Sequence, residues 1–171
     1  MYSFLQHIYI VLVPLILSNV LHILVIKKDV FPVLKQPISK KLFGKNKTWR
    51  GFVFVSLVNG LLLFLLNFTF DFQIPLSFFT GFVLGFAYML FELPNSFMKR
   101  KLGIQPGTQA SSNKFLFMLI DKMDSAFGVS FVYFLMGNIS LQNAMLLFCI
   151  SSATHIIISQ LLVQFHLKKS F

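Results

Sequence analysis

Long apolar runs alternate with short polar segments along this chain, and the alternation sets the expected architecture. A membrane-spanning helix needs about 20 mostly apolar residues. Five runs meet or approach that length: 5–26, 51–68, 74–98, 115–136 and 141–165. The first holds no Lys, Arg, Asp or Glu. The fourth is interrupted by Asp121, Lys122 and Asp124, so hydropathy alone does not decide it. The pattern predicts an all-α integral membrane protein, one polytopic domain over 1–171 with about five transmembrane helices. Segments 27–50 and 99–114 are its main polar loops. No internal repeat and no coiled-coil heptad is visible.

The basic residues decide the fourth run. All 15 Lys and Arg lie in 27–50, in 99–122 or in the tail at 168–169. With five spans, all three basic segments fall on one side of the membrane. With four, the tail crosses to the other side. The positive-inside rule therefore predicts five spans in the cell membrane, with the N-terminus outside and the C-terminus cytoplasmic.

Composition agrees. Hydrophobic residues make up 56%, charged residues 12%, and mean hydropathy is +0.77, whereas soluble domains carry about 25% charged residues. The net charge of +10 does not point to nucleic acid, because it sits in short segments between apolar runs. The single cysteine, Cys149, excludes an intrachain disulfide framework. The N-terminal run is expected to be retained, being too long for a signal-peptide core and lacking a basic leader and a cleavage site. In 27–50, Pro32 and Pro37 oppose a continuous helix. Apolar residues mixed with lysines there suit a segment on the bilayer surface or one folded back into the bundle. Gly103, Pro106, Gly107, Ser111 and Ser112 mark 103–113 as a mobile loop.

Three of the five acidic residues, Glu92, Asp121 and Asp124, fall within 91–125. Asp121 and Asp124, three apart on a helix, share a face. Asp121 follows six apolar residues, 115–120, which places the pair below the headgroup level, where ionisable groups are functional by default. Paired carboxylates suit Mg²⁺ completed by waters and substrate phosphates. The bland reading is a frayed helix start complementing the dipole. Glu92 stands as a third ligand or as the ion-pair partner of a basic residue such as Lys99. Pro94 would kink the helix beside it.

Lys27, Lys28, Lys168 and Lys169 flank helix ends and read as anchors at anionic headgroups. Lys45, Lys47 and Arg50, and separately Lys99 and Arg100, are placed to bind phosphate, although the positive-inside pattern requires no ligand. Trp49 fits the interface belt. The four histidines do not cluster at metal-ligand spacing, and mid-span His155 needs a partner the sequence does not name. P-loop, GxSxG and HExxH motifs are absent.

Three blocks together resemble the membrane cytidylyltransferases: the CDP-archaeol synthases and, more distantly, the phosphatidate cytidylyltransferases. GKNKTWRGF, 44–52, is similar to the Lys-Thr-Trp-x-Gly element. ELPNSFMKRKLGIQPG, 92–107, is similar to the Asp-Leu-x-x-Ser-x-x-Lys-Arg element, and its Leu-Gly-Ile-x-Pro-Gly continuation is closer to the archaeol branch. DKMDS, 121–125, is similar to the Asp-x-x-Asp ending. Two departures stand out. Glu92 and Phe91 replace the usual Asp and the Gly before it, and the Lys-Asp and His-Gly-Gly features of the larger bacterial enzymes are not seen. The second departure favours the compact, archaeol-like plan.

The resemblance implies CTP-dependent transfer of CMP to a lipid phosphate, giving a CDP-lipid and pyrophosphate at a cytoplasm-facing cavity. It implies Mg²⁺ on Asp121 and Asp124 with Glu92, catalytic roles for Asp121, Asp124, Lys99 and Arg100, and substrate contacts from Lys47, Thr48, Trp49, Arg50, Asn95 and Ser96. The implied partners are CTP, a lipid phosphate and the bilayer, with a homodimer allowed but not required. Weighed against it are a non-catalytic membrane homologue that binds lipid or nucleotide or acts as a scaffold, and a small transporter. A CDP-alcohol phosphotransferase is disfavoured, because Asp-Gly-x-x-Ala-Arg is absent.

Overall fold

The computed structural model describes residues 4–69, 77–106, 114–137 and 139–167. Five helices follow one another: α1 (Phe4–Lys27), α2 (Trp49–Thr69), α3 (Phe78–Lys101), α4 (Lys114–Leu135) and α5 (Leu141–Gln164). A single 3-10 turn, Pro32–Lys35, lies between α1 and α2. Among the described residues the extended pairing amounts to one bridge, Pro37 with Thr48. The architecture is all-α, as expected of an integral membrane protein.

Helices α1, α2, α3 and α5 are long and apolar enough to cross a membrane. The polar residues of α4 keep it from that class, yet its path through the bundle matches theirs. Near its start, Asp121 pairs with Lys99 at the end of α3, and Lys122 donates to Ser159 near the end of α5 at 2.8 Å. Farther along, the Tyr133 hydroxyl meets His7 Nδ1 near the start of α1 at 3.0 Å. Twelve helical residues rise about 18 Å, so α4 runs from one end of the bundle toward the other. The ends of α1, α3 and α5 and the starts of α2 and α4 gather at one end, which also carries Lys47, Lys99 and Lys122.

The helix boundaries refine the sequence expectation. Ser77 Oγ accepts the Thr80 amide at 3.0 Å, which caps α3 and starts it at Phe78 rather than near 74. Pro94 does not end α3, which continues to Lys101. Lys99, Arg100 and Lys101 therefore form its last turn rather than opening a loop at 99. Three cations complement the negative end of the helix dipole there. Gly103, at φ +73°, closes the helix. Of the expected mobile loop, 107–113 lies outside the described residues.

Small residues bring α2 and α3 together. A Cβ on Gly81 would lie 2.7 Å from the Asn59 carbonyl oxygen and 2.8 Å from Gly60 Cα. The Asn59 side chain donates to the Gly81 carbonyl at 2.6 Å. Backbone cannot swing aside as a side chain can, so the contact depends on glycine. Gly81→Ala is expected to cost about 1–3 kcal/mol through overpacking. Thermal unfolding in detergent should show a lower Tm, and an unchanged Tm would refute the close approach.

The α3–α4 contact is similarly matched. A Cβ on Gly128 would fall 2.2 Å from Phe91 Cγ, so α4 presents a glycine where α3 presents a phenylalanine. The departure seen at Phe91 thus has a complementary surface in this chain.

Candidate active site

The basic end of the bundle is assembled from three stretches far apart in sequence. After the 3-10 turn, the backbone pairs with itself: Ile38 N donates to Lys47 O at 3.0 Å and Trp49 N to Gln36 O at 3.1 Å. The intervening turn folds back onto the bundle, as one of the two readings of 27–50 allowed. Gly44 is buried at φ +86°. A Cβ there would lie 2.9 Å from the Pro106 ring and 3.6 Å from Arg100 Nε. Both the conformation and the space require glycine. This docking carries Lys47 to Glu92, and the two form an ion pair with side chains 23% and 19% exposed.

Along α3, Tyr88, Glu92, Asn95 and Lys99 recur at helical spacing and so share a face. Buried Asn95 donates from Nδ2 to Asp121 Oδ1 at 2.5 Å, and Lys99 pairs with the other oxygen of Asp121. One turn on, Asp124 Oδ1 accepts the Ser125 amide at 2.6 Å. Its second oxygen has no partner among the described residues. Burial would lower the Lys47 ammonium pKa, but Glu92 outweighs that, Asp124 and Asp121 add to it, and the net shift is upward. Lys47 is thus held charged among the carboxylates.

The structure therefore brings together Lys47, Glu92, Asn95, Lys99, Asp121 and Asp124. Of the other expected site residues, Ser96, Thr48 and Arg50 are engaged elsewhere. The Ser96 hydroxyl donates back to the Glu92 carbonyl at 2.9 Å, one turn earlier. Thr48 lies in the bridge with Pro37. Trp49 is exposed beside Phe52, with ring centroids 6.2 Å apart, in keeping with its interface reading. Arg50 is buried, and its Nη1 donates to Asp29 Oδ1 and to the Val30 carbonyl, both at 3.0 Å. Its observed partners lie in the segment after α1. Arg100 lies beside Gly44, and its Nε and Nη1 are buried without a partner among the described residues.

Asp29 escaped the sequence reading. It stands at φ +49° and bridges Lys35 and Arg50. Hydrogen bonds from Lys35 and then Arg50 hold its carboxyl below the ordinary aspartate range. The resulting stabilisation is complete above that range and is lost as pH falls through the depressed folded value. Acid should therefore loosen 29–35, which the chain's one tryptophan, Trp49, can report by fluorescence. Asp29→Asn should abolish this acid transition, and an unchanged transition would contradict the assignment.

The second set of unforeseen residues lies behind the carboxylates. Asn19 Nδ2 donates to the Tyr88 hydroxyl at 2.9 Å, and that hydroxyl meets His155 Nε2 at 3.2 Å. His155 Nδ1 lies 3.1 Å from the Lys122 carbonyl and 3.5 Å from Ser125 Oγ. Mid-span His155 signalled its need for a partner, but no local pattern named Tyr88.

Among the described residues, no three His, Cys, Asp or Glu side chains close into a metal cage. Glu92 is held by Lys47 and does not complete one. Asp121 and Asp124 still supply hard oxygens from one helical turn, one of them open. That set fits Mg²⁺ in its usual manner, with one or two carboxylates and the remaining positions taken by water and substrate phosphates.

A family model described as "CarS-like: CDP-archaeol synthase" matches residues 1–171, the whole chain. No curated protein and no solved structure matches it.

Proposed function

Because the chain belongs to the CDP-archaeol synthase family, we propose that it is a membrane cytidylyltransferase that joins CMP from CTP to a lipid phosphate. The observation that carries this reading is the interleaving of cations and carboxylates at one end of an apolar bundle. Lys47 and Lys99 pair with Glu92 and Asp121, and Asp124 retains an open oxygen. Arg100 Nε and Nη1, buried without a partner among the described residues, add a demand for anionic oxygen.

The reaction follows from the charges. An oxygen of the lipid phosphate attacks the α-phosphorus of CTP, a new P–O bond forms, and the bond to the β-phosphate oxygen breaks. Pyrophosphate leaves with that electron pair. Both reactants are anions, so the chain must first lower their repulsion. Lys47, Lys99 and Arg100 supply fixed positive charge, and the partly dry site strengthens it. Asn95 orients Asp121. Mg²⁺ held by Asp121 and Asp124 would neutralise phosphate charge and stabilise the leaving group. Most of the acceleration comes from positioning and electrostatics.

The lipid has a suitable neighbour. A pocket lined on its apolar side by Leu12, Leu15, Ile16, Val129 and Ile158, and on its polar side by Asn19, Tyr88, Ser151, Thr154 and His155, reaches to one turn before Glu92. Its apolar wall suits hydrocarbon, while CTP approaches from water at the basic end. That end is assigned to the cytoplasm, where the nucleotide is available and the positive-inside rule places it. The compact, archaeol-like plan favours an ether-linked lipid phosphate.

Purified protein incubated with CTP, Mg²⁺ and ether- and ester-linked lipid phosphates tests the reading. Mass analysis should find a CDP-lipid, with the ether-linked substrate preferred. Absence of a CDP-lipid across the panel would leave a binding or scaffold role instead.

A further inference from the structure

The hydrogen bonds from Asn19 to the Lys122 carbonyl have a defined direction. The Lys122 carbonyl can only accept, so His155 Nδ1 carries the proton toward it. With the ring neutral, Nε2 accepts from the Tyr88 hydroxyl, and the Tyr88 oxygen accepts from Asn19. The Tyr88 hydroxyl also interacts with Glu92 and Ser125, and the chain crosses four helices: α1, α3, α5 and α4. It ends on the turn of α4 that carries Asp121 and Asp124. Its α3 member, Tyr88, is one turn before Glu92. Lys122 adds a second tie between the same turn and α5 through Ser159, at 2.8 Å. Both residues are buried there.

We propose that His155, held by Tyr88, is a positioning residue that sets the carboxylates of Asp121 and Asp124 by fixing the backbone of their helical turn from α5. Its observed partners are the Tyr88 hydroxyl, the Ser125 hydroxyl and the Lys122 carbonyl. The inference rests on the proposed cytidylyltransferase reading and deepens it, since it adds a residue outside the charged cluster. A hydrogen bond to a backbone carbonyl suits this task. It restrains the turn through its backbone, as residues behind metal ligands do elsewhere.

Three substitutions separate this role from packing. Asparagine places an amide donor near the position of Nδ1, glutamine places one near Nε2, and leucine supplies neither. His155→Asn should keep the tie to Lys122 and stay near wild type. His155→Gln and His155→Leu should lose it. In these two variants the Mg²⁺ concentration for half-maximal activity should rise about tenfold. Mn²⁺ binding, followed by electron paramagnetic resonance without substrate, should weaken in parallel. Tyr88→Phe, which removes the hydroxyl that orients the ring, should give a smaller change in the same direction.

Thermal unfolding and monodispersity of each variant establish folding, and Tyr88→Phe keeps the test available if His155→Leu fails to fold. Folded His155→Gln and Tyr88→Phe proteins with wild-type Mn²⁺ binding and Mg²⁺ requirement would overturn the inference while leaving the cytidylyltransferase reading intact. A wild-type protein that forms no CDP-lipid would overturn that reading and the inference resting on it.

Discussion

Asp121→Asn and Asp124→Asn are each expected to reduce CDP-lipid formation by about 10²–10³-fold, the range seen when one preorganised electrostatic group is lost from an active site. Each change keeps the side-chain shape and removes one negative charge. The Asp121 side chain is 45% exposed and paired with Lys99. Ion pairs with that much solvent contribute little to stability, so Asp121→Asn should unfold close to the wild-type temperature. Activity lost from a folded bundle is the signature of a site residue. The two variants should differ in origin. Asp121 holds Lys99 and Asn95 in place, whereas Asp124 offers an open oxygen. Asp121→Asn should therefore also weaken CTP binding, and Asp124→Asn should mainly lower kcat. Initial rates over a CTP series check both, and equal KM values would contradict the division of roles.

The second large effect is expected at Lys47 and Glu92, where stability and activity should separate. Their side chains are about four-fifths buried. Lys47→Met leaves a carboxylate without its cation, and Glu92→Gln leaves an ammonium without its anion. Removing one member of a fully buried pair costs about 3–5 kcal/mol, and the residual exposure here reduces that to roughly 1–3 kcal/mol. The double variant leaves neither charge stranded, so it should recover much of the stability. It should not recover activity, because the positive charge beside the reacting phosphates is still missing. Thermal unfolding and product formation on the same four proteins check this as a double-mutant cycle. Additive stability losses would show that the pair does not couple.

These expectations depend on parts of the molecule that differed greatly in legibility. The helices were plain because a bilayer demands long apolar runs, and only α4 needed an argument from charge. The path from Asp121 to Tyr133 shows why it was needed. The charged residues of this helix end at Asp124, and the rest of its length, from Ser125 onward, carries none. The last turn of α3 was less visible. Lys99, Arg100 and Lys101 follow Pro94 and resemble loop residues, but helix-end electrostatics favours them and Gly103 supplies the stop.

Pairings were the hardest to read. Asp121 and Asp124 announced themselves because carboxylates in an apolar run are costly. Their partners did not. Lys47 reaches Glu92 through a turn whose geometry depends on Gly44 and Pro106, which no periodicity encodes. Arg50 looked like a phosphate ligand, yet Asp29, an isolated acid, holds it. Ser96 spends its hydroxyl on its own helix. His155 needed a partner, and Tyr88 came from a helix 67 residues away in the chain. Local sequence states what a side chain requires, whereas packing decides who supplies it.

The central claim is that the α-phosphate of CTP passes to a lipid phosphate at this site. It is tested most directly with CTP labelled on the α- or the γ-phosphate, supplied with Mg²⁺ and an ether-linked lipid phosphate to the purified protein. The account predicts that α-label enters the lipid phase, γ-label leaves as pyrophosphate, and Asp124→Asn suppresses both. Label reaching the lipid from the γ-position, or no label reaching it from either, would contradict the account.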